Sequence, residues 1–255
     1  MEDRSNKMAG MVAIVTGASR GLGRAIAKEF AAEGASVVVS ARRSSPTGLP
    51  GTAIETAEQI RSQGGEAMAL TCDVSDEEQV MAMVEQTIEM YGQIDVLVNN
   101  AGVMVLGETL LDIAPDEWDE SVAANLRGPY LCCRAVLPIM IEQGRGSIIN
   151  IGSRMGADHT QGGGVLYSAT KAAVHMFSLC LADEVREYNI AVNILSPGGL
   201  RTEGSAAIPW TQRDWAQRVE PDAVGPSAVY LALQDASTFT GQLVQRVEFG
   251  ETWGF

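Results

Sequence analysis

A tyrosine and a lysine four residues apart, Tyr167 and Lys171 in Tyr-Ser-Ala-Thr-Lys, open an apolar run through Ala172, Ala173, Val174, Met176, Phe177, Leu179, Cys180, Leu181 and Val185. The breaks in that run suit a helix. On a helix, residues i and i+4 share one face, so the phenol and the ammonium point into one site. A cation beside a phenol favours the phenolate and draws a pKa of ~10 toward acid–base work at neutral pH. Taken alone the spacing is common, and a helix that merely happens to carry a Tyr and a Lys accounts for most instances. The surrounding elements have to decide.

Those elements need a large core. The chain has 255 residues, 46% of them hydrophobic, enough for one α/β domain. No stretch approaches the ~20 uninterrupted apolar residues of a membrane span. Residues 1–10 lack the apolar core of a secretory signal and read as a flexible arm, leaving 11–255 as the domain. Cys72, Cys132, Cys133 and Cys180 show neither metal-ligand spacing nor a disulfide framework. Their apolar neighbours predict buried free thiols and a cytoplasmic setting. The formal charge of −14 argues against nucleic-acid partners, and an anionic ligand would need a local basic patch.

Met11 to Thr16 is a short apolar, β-branched run, as in a strand buried on both faces. Gly17-Ala-Ser-Arg-Gly-Leu-Gly23 follows, then a helical stretch from Arg24 to Glu33, a stop at Gly34 and a second strand to Ser40. Strand, glycine-rich turn and helix form the unit in which backbone N–H groups and a helix N-terminus receive a pyrophosphate. An NAD-preferring site usually ends the second strand with an acid for the ribose 2′-hydroxyl. This chain offers Arg42 and Arg43 there, with Arg20 inside the turn, and three converging arginines would suit a 2′-phosphate. NADP(H) is therefore favoured over NAD(H), which the same turn would also accept.

Further on, a helix is predicted over 53–62, a strand over 66–71 and a helix from Ser75, with Glu78 placed for a capping box, to Tyr91. A strand from Ile94 to Val98 leads to Asn99-Asn100-Ala101-Gly102, where Asn100 would hold the strand end by bonding backbone groups. A helix from Pro115 to Gln143 passes Asn125 and should kink at Pro129 or Pro138. Strands at 147–151, 190–195 and 242–247, with a helix over 226–234, complete the alternation. The reading is a Rossmann-type, doubly wound parallel sheet of about seven strands with helices on both faces, in a single domain. Ser153 then falls on the same carboxyl rim as Gly17 and Asn100. Residues 200–220, with Trp210 and Trp215, read as a mobile substrate flap, and His159 as a loop histidine more often solvated than bound.

Together these motifs resemble the short-chain dehydrogenase/reductase family, in its shorter single-domain branch, from about Met11 to the C-terminus. The resemblance rests on Thr16-Gly17-Ala18-Ser19-Arg20-Gly21-Leu22-Gly23, Asp73-Val74, Asn99-Asn100-Ala101-Gly102, Asn125, Ser153, Tyr167-x-x-x-Lys171 and Pro197-Gly198-x-x-x-Thr202. It implies that Ser153 bonds the substrate oxygen, Tyr167 transfers its proton, and Lys171 binds the nicotinamide ribose and lowers the phenol's pKa. Asn125 would hold a water linking Lys171 to solvent. Cofactor contacts would come from Gly17, Ser19, Arg20, Gly21, Leu22, Arg42, Arg43, Asp73, Val74, Asn100, Ala101, Gly102, Pro197, Gly198 and Thr202, besides Tyr167 and Lys171. Homotetramers or homodimers are the family norm.

Two departures stand out. The Ser153–Tyr167 gap is one residue longer than the commonest spacing, absorbed by Gly162-Gly163-Gly164, and the tail Phe249–Phe255 lacks the usual Asp-Gly-Gly. The tail's Trp253 and Phe255 suggest a subunit interface or a cap on a neighbouring pocket. The implied activity is interconversion of a ketone and a secondary alcohol, for which a likeness to 3-oxoacyl-thioester reductases is a family-level guess. A non-catalytic NADP(H)-binding regulator is the competing reading, against which intact Ser153, Tyr167, Lys171 and Asn125 weigh. An epimerase or dehydratase would need a substrate domain for which the chain has no room. Small-molecule carbonyl or alcohol partners are expected, without nucleic acid or membrane.

Overall fold

The computed structural model describes residues 6–42 and 48–255. Strands and helices alternate: β1 (Val12–Thr16), α1 (Gly21–Ala32), β2 (Ser36–Ala41), α2 (Ala53–Ser62), β3 (Glu66–Thr71), α3 (Glu77–Tyr91), β4 (Val96–Asn99), α4 (Pro115–Val122), α5 (Gly128–Gln143), β5 (Gly146–Ile151), α6 (Val165–Glu184), β6 (Ile190–Ser196), α7 (Glu203–Ala206), α8 (Gly225–Ala232) and β7 (Leu243–Gln245). Among the described residues the strands form one seven-stranded parallel sheet in the order β3-β2-β1-β4-β5-β6-β7. The order reverses between β1 and β4, which opens a crevice outside the carboxyl ends of those strands.

Alternate side chains of each strand feed two cores. Val15, Val37, Val39, Val96 and Val98 pack with Ile26 and Phe30 of α1 and with α8. Ile14, Val38 and Leu97 face the other way, onto Val80 and Met83 of α3 and Leu131 and Val136 of α5. Both faces being covered, the strands read as continuous apolar runs. Among the described residues α6 is the one helix long and apolar enough to cross a membrane by length and composition, and here it packs on β6.

Several expectations need correction. Met8, placed in the N-terminal arm by its position, is instead fully buried in the first core, and its N–H donates to the Glu33 carbonyl at 2.9 Å. Asp76, not Ser75, caps α3, accepting from the N–H groups of Glu78 and Gln79 at 3.0 and 3.2 Å. Ser75 instead donates its hydroxyl to Asp73 at 2.7 Å. The stretch read as a flap carries regular structure, α7 and a 3-10 turn over Pro209–Gln217, and its Thr211 is fully buried. The last strand is short and ends at Gln245.

The tail turns inward. Trp253 packs against Phe249, Tyr230 and Phe239 of its own chain, and its indole N–H donates to the Gln245 carbonyl at 2.9 Å. Trp253 therefore belongs to the core, while Phe255 is exposed. Cys72, Cys132 and Cys133 are buried as expected, but Cys180, on the outer face of α6, is exposed.

The long helix from Pro115 is interrupted at a revealing place. Residues Ala123–Arg127 form a π-turn between α4 and α5, and Asn125 lies inside it. Pro129 has no N–H, so the carbonyl of Asn125, four residues earlier, cannot find an α-helical partner and the ladder slips. Pro138 is accommodated within α5 without ending it.

Candidate active site

β1 runs into the glycine turn, which is pressed against the end of β4. Gly17 has φ +64°, and a Cβ there would lie 2.7 Å from the Ala101 Cα. At Gly23 a Cβ would come within 2.5 Å of both Asn100 Nδ2 and the Gly17 carbonyl, so only glycine fits. Asn100 Nδ2 donates to the carbonyls of Thr16 and Gly17 at 2.9 and 3.1 Å. The Thr16 hydroxyl accepts from the N–H groups of Asn100 and Ala101, both at 3.1 Å. The N-terminus of α1 is thereby seated in the crevice.

The first N–H groups of a helix have no partner within it and favour negative charge. That of Gly21 donates to Glu203 Oε2 at 3.0 Å, and Arg24 Nη1 pairs with Glu203 Oε1 at 3.4 Å. A carboxylate thus stands in for an anion at this N-terminus, and the residues present fit the pyrophosphate of a dinucleotide. Ser19 turns its carbonyl to Arg24, and Leu22 packs on the first core. Across the turn, Thr202 lies close enough that a Cβ on Gly21 would come 3.2 Å from its Cβ. Thr202 caps α7 in a reciprocal box with Ser205. The Pro197 carbonyl accepts from Arg246 Nε at 3.0 Å, and Gly198 turns the chain at φ +77°. At the end of β3, Asp73 accepts from the Ser75 N–H at 3.0 Å, and buried Val74 packs on Gly128.

Arg20 and Arg42 turn to different partners in the chain alone. Arg20 Nη2 donates to the Gly51 carbonyl at 3.0 Å, and Arg42 pairs with Glu120 at 3.6 Å. Arg43 lies outside the described residues.

Beside this cradle, α6 presents Tyr167 and Lys171. The phenol of Tyr167 lies beside the Ser153 hydroxyl, which approaches it from the end of β5. Lys171 is buried, and its Nζ donates to the Ile151 carbonyl at 2.7 Å while lying 5.7 Å from the centroid of the Tyr167 ring. Asn125 is the hub beneath them. Its Oδ1 accepts from the Val103 N–H at 2.7 Å, and its Nδ2 reaches the Val103 carbonyl at 2.8 Å and Thr170 Oγ1 at 3.2 Å. Thr170 Oγ1 donates in turn to the Tyr167 carbonyl at 2.9 Å. Gly102 makes room for this arrangement, because a Cβ there would lie 2.6 Å from Asn125 Oδ1. A buried polar chain, Asn99 to Asn150 at 2.8 Å and Asn150 to Ser178 at 2.7 Å, ties α6 to the sheet.

The electrostatics depart from the sequence expectation for the phenol. Burial pushes Tyr167 up to about 12, against the opposing effect of the neighbouring Ser153 hydroxyl. Burial alone brings Lys171 down to about 8. With Nζ turned to a backbone carbonyl, desolvation of both charged forms outweighs their attraction.

Residues 11–212 match the sequence model of the short chain dehydrogenase family. The chain belongs to the short-chain dehydrogenase/reductase family. It is 33% identical to the 3-oxoacyl-(acyl-carrier-protein) reductase FabG of Staphylococcus aureus over 91% of this chain and 94% of that one. With elsinochrome reductase 1 of Elsinoe fawcettii it shares 37% identity over 80% of this chain and 73% of that protein. Among solved structures, a metagenomic short-chain oxidoreductase in complex with NADP superposes with a TM-score of 0.77 at 35% identity, covering 94% of this chain and 98% of that one. This short-chain dehydrogenase/reductase is thus an oxidoreductase of a family that binds NAD(P).

Sequence reasoning passed over three residues of the site. His175, one turn beyond Lys171 on the same face of α6, is buried and accepts the Ser153 N–H at Nε2, at 3.2 Å. A polar side chain at i+8 from Tyr167 inside an apolar run was the available signal. Thr170 was hidden within the Tyr–Lys motif, and Glu203 follows Thr202 directly. His159 is exposed, beside Gln161 at 3.3 Å.

Proposed function

We propose that this chain is an NADP(H)-dependent oxidoreductase that interconverts a ketone and a secondary alcohol. The observation that carries the reading is the placement of the Ser153 hydroxyl beside the Tyr167 phenol at the sheet's carboxyl rim, with Lys171 one turn further along α6. When bound, the nicotinamide supplies or accepts the hydride. Ser153 orients the substrate oxygen. Tyr167 gives that oxygen a proton during reduction and takes it back during oxidation. Lys171 Nζ leaves the Ile151 carbonyl to bind the nicotinamide ribose, and its charge stabilises the phenolate left once the proton has gone. Asn125 anchors the backbone at Val103 and holds a water that returns protons through Lys171.

Gly17, Ser19, Gly21 and Leu22 cradle the pyrophosphate, with Asn100, Ala101 and Gly102 lining the opposite wall. Asp73 and Val74 border the adenine, and Pro197, Gly198 and Thr202 hold the carboxamide. Arg20, Arg42 and Arg43 receive the 2′-phosphate, Arg42 exchanging Glu120 for it. The two named reductases act on unlike molecules, so the chemistry carries over as reduction of a small-molecule carbonyl. A cytoplasmic homodimer or homotetramer fits the same reading.

Two measurements test it. NADPH oxidation, followed by absorbance against a panel of ketones, should show turnover with at least one of them. NADPH should bind roughly tenfold or more tightly than NADH. Equal or tighter NADH binding would contradict the role given to Arg20 and Arg42.

A further inference from the structure

Ser153 has to present its hydroxyl at a fixed point, yet it stands at the exit of β5, where the chain turns sharply. Gly152 N–H still pairs with the Leu195 carbonyl at 2.9 Å, and from Ser153 onward the backbone enters a 3-10 turn over Arg154–Gly156. The hydroxyl accepts from the Met155 N–H at 3.2 Å and also meets the Tyr167 phenol. The backbone N–H of Ser153, pointing into the protein, is taken by His175 Nε2 at 3.2 Å.

His175 is built into this turn. It is buried, and a Cβ on Gly152 would lie 2.6 Å from its Nε2, so the glycine leaves room for the ring. The ring also lies near the Gly156 carbonyl at the far end of the same turn. Because Nε2 accepts from Ser153, the neutral ring carries its proton on Nδ1, and that bond fixes one tautomer. Burial and the neighbouring Lys171 ammonium hold the imidazole below its usual pKa, which keeps the Nε2 lone pair available. Nε2 is therefore spent on the residue that carries the hydroxyl. On α6, His175 follows Lys171 by one turn and Tyr167 by two, so one helix face holds the phenol, the ammonium and the clamp on the second hydroxyl.

We propose that His175 is a positioning residue for the reaction: its imidazole clamps the Ser153–Gly156 turn onto α6 and so sets the Ser153 hydroxyl against Tyr167. The inference rests on the proposed oxidoreductase function. His175 touches neither substrate nor reacting atoms. Its effect passes through Ser153, so it should appear in kcat and not in cofactor affinity. Catalysis is sensitive to such placement, a 1 Å displacement being able to cost ~10²-fold.

The test is a double-mutant cycle on ketone reduction with NADPH, comparing wild type, His175→Leu, Ser153→Ala and the double variant, together with His175→Gln. Leu keeps an apolar bulk but offers no hydrogen bond, whereas Gln can both accept from Ser153 and donate to Gly156. His175→Leu should lower kcat roughly ten- to a hundredfold with the NADPH Kd within about twofold of wild type. His175→Gln should recover much of that loss. On the Ser153→Ala background, His175→Leu should cost nothing further, because the hydroxyl it positions is gone. Multiplicative losses in the double variant, or unchanged kcat in His175→Leu, would overturn the proposal. If His175→Leu does not fold, the cycle is run with His175→Gln and His175→Asn and judged by the same rule. Failure of the underlying function would look different: the wild type itself would not turn over any ketone.

Discussion

Lys171 illustrates how one residue's role depends on what surrounds it. In the chain alone its ammonium is buried against the Ile151 carbonyl and its pKa falls to about 8, below the usual lysine value. Above pH 8 the folded chain has released a proton that the unfolded chain, with an ordinary lysine near ~10.4, still holds. The unfolded state then binds more protons, so stability contributed at this position rises with pH between about 8 and 10, by at most about 1.4 kcal/mol per pH unit. Urea unfolding of the cofactor-free chain should show that rise, measured as the difference from Lys171→Met. A flat difference over that window would mean the ammonium is not desolvated. Tyr167, raised to about 12 by burial, stays protonated throughout the same range. It therefore keeps the proton that the proposed reduction would use.

At the scale of elements, the site is made where segments end. The carboxyl ends of β1, β4 and β5, the N-terminus of α1 and the π-turn before α5 each bring one functional group, and Asn125 and Asn100 bolt the ends together. Within this arrangement Glu203 competes with any anionic ligand for the Gly21 N–H. Glu203→Gln retains an acceptor without the charge and should tighten NADPH binding roughly two- to fivefold in a fluorescence titration. Weaker binding would show that the carboxylate supports the loaded state. Elements of this kind were legible in the sequence where the chemistry is local. The glycine turn, the β-branched strands and the Tyr–Lys spacing each carry their reason within a few residues. The π-turn was half legible: Pro129 announces a disturbance, but that it falls on Asn125 follows from the missing N–H four residues on. His175 and Glu203 were not legible, because their partners lie 22 and 182 residues away. Arg42 shows the same limit, since its position at the end of β2 could be read but its pairing with Glu120 could not.

At the scale of the whole molecule, a single sheet closes both of its faces and leaves the chemistry to one edge of the crevice. The C-terminal tail completes the closure. Trp253 lies among Tyr230, Phe239 and Phe249, which makes it a core residue of its own chain. Trp253→Ala should therefore lower the unfolding free energy by about 3–5 kcal/mol in urea denaturation, whatever the oligomeric state. A change in assembly with stability intact would restore an interface role. The place of Trp253 was not legible for a physical reason: an aromatic near a terminus looks unpartnered until the fold brings Tyr230 of α8 beside it. The proposed function needs the folded chain to set a proton donor and a hydride path on either side of one substrate carbonyl. The most direct test is Tyr167→Phe, assayed for NADPH oxidation with a ketone that the wild type reduces and, in parallel, for NADPH binding. Turnover should fall by ~10²–10⁴ with the NADPH Kd nearly unchanged. Turnover near the wild-type rate would contradict the role given to Tyr167.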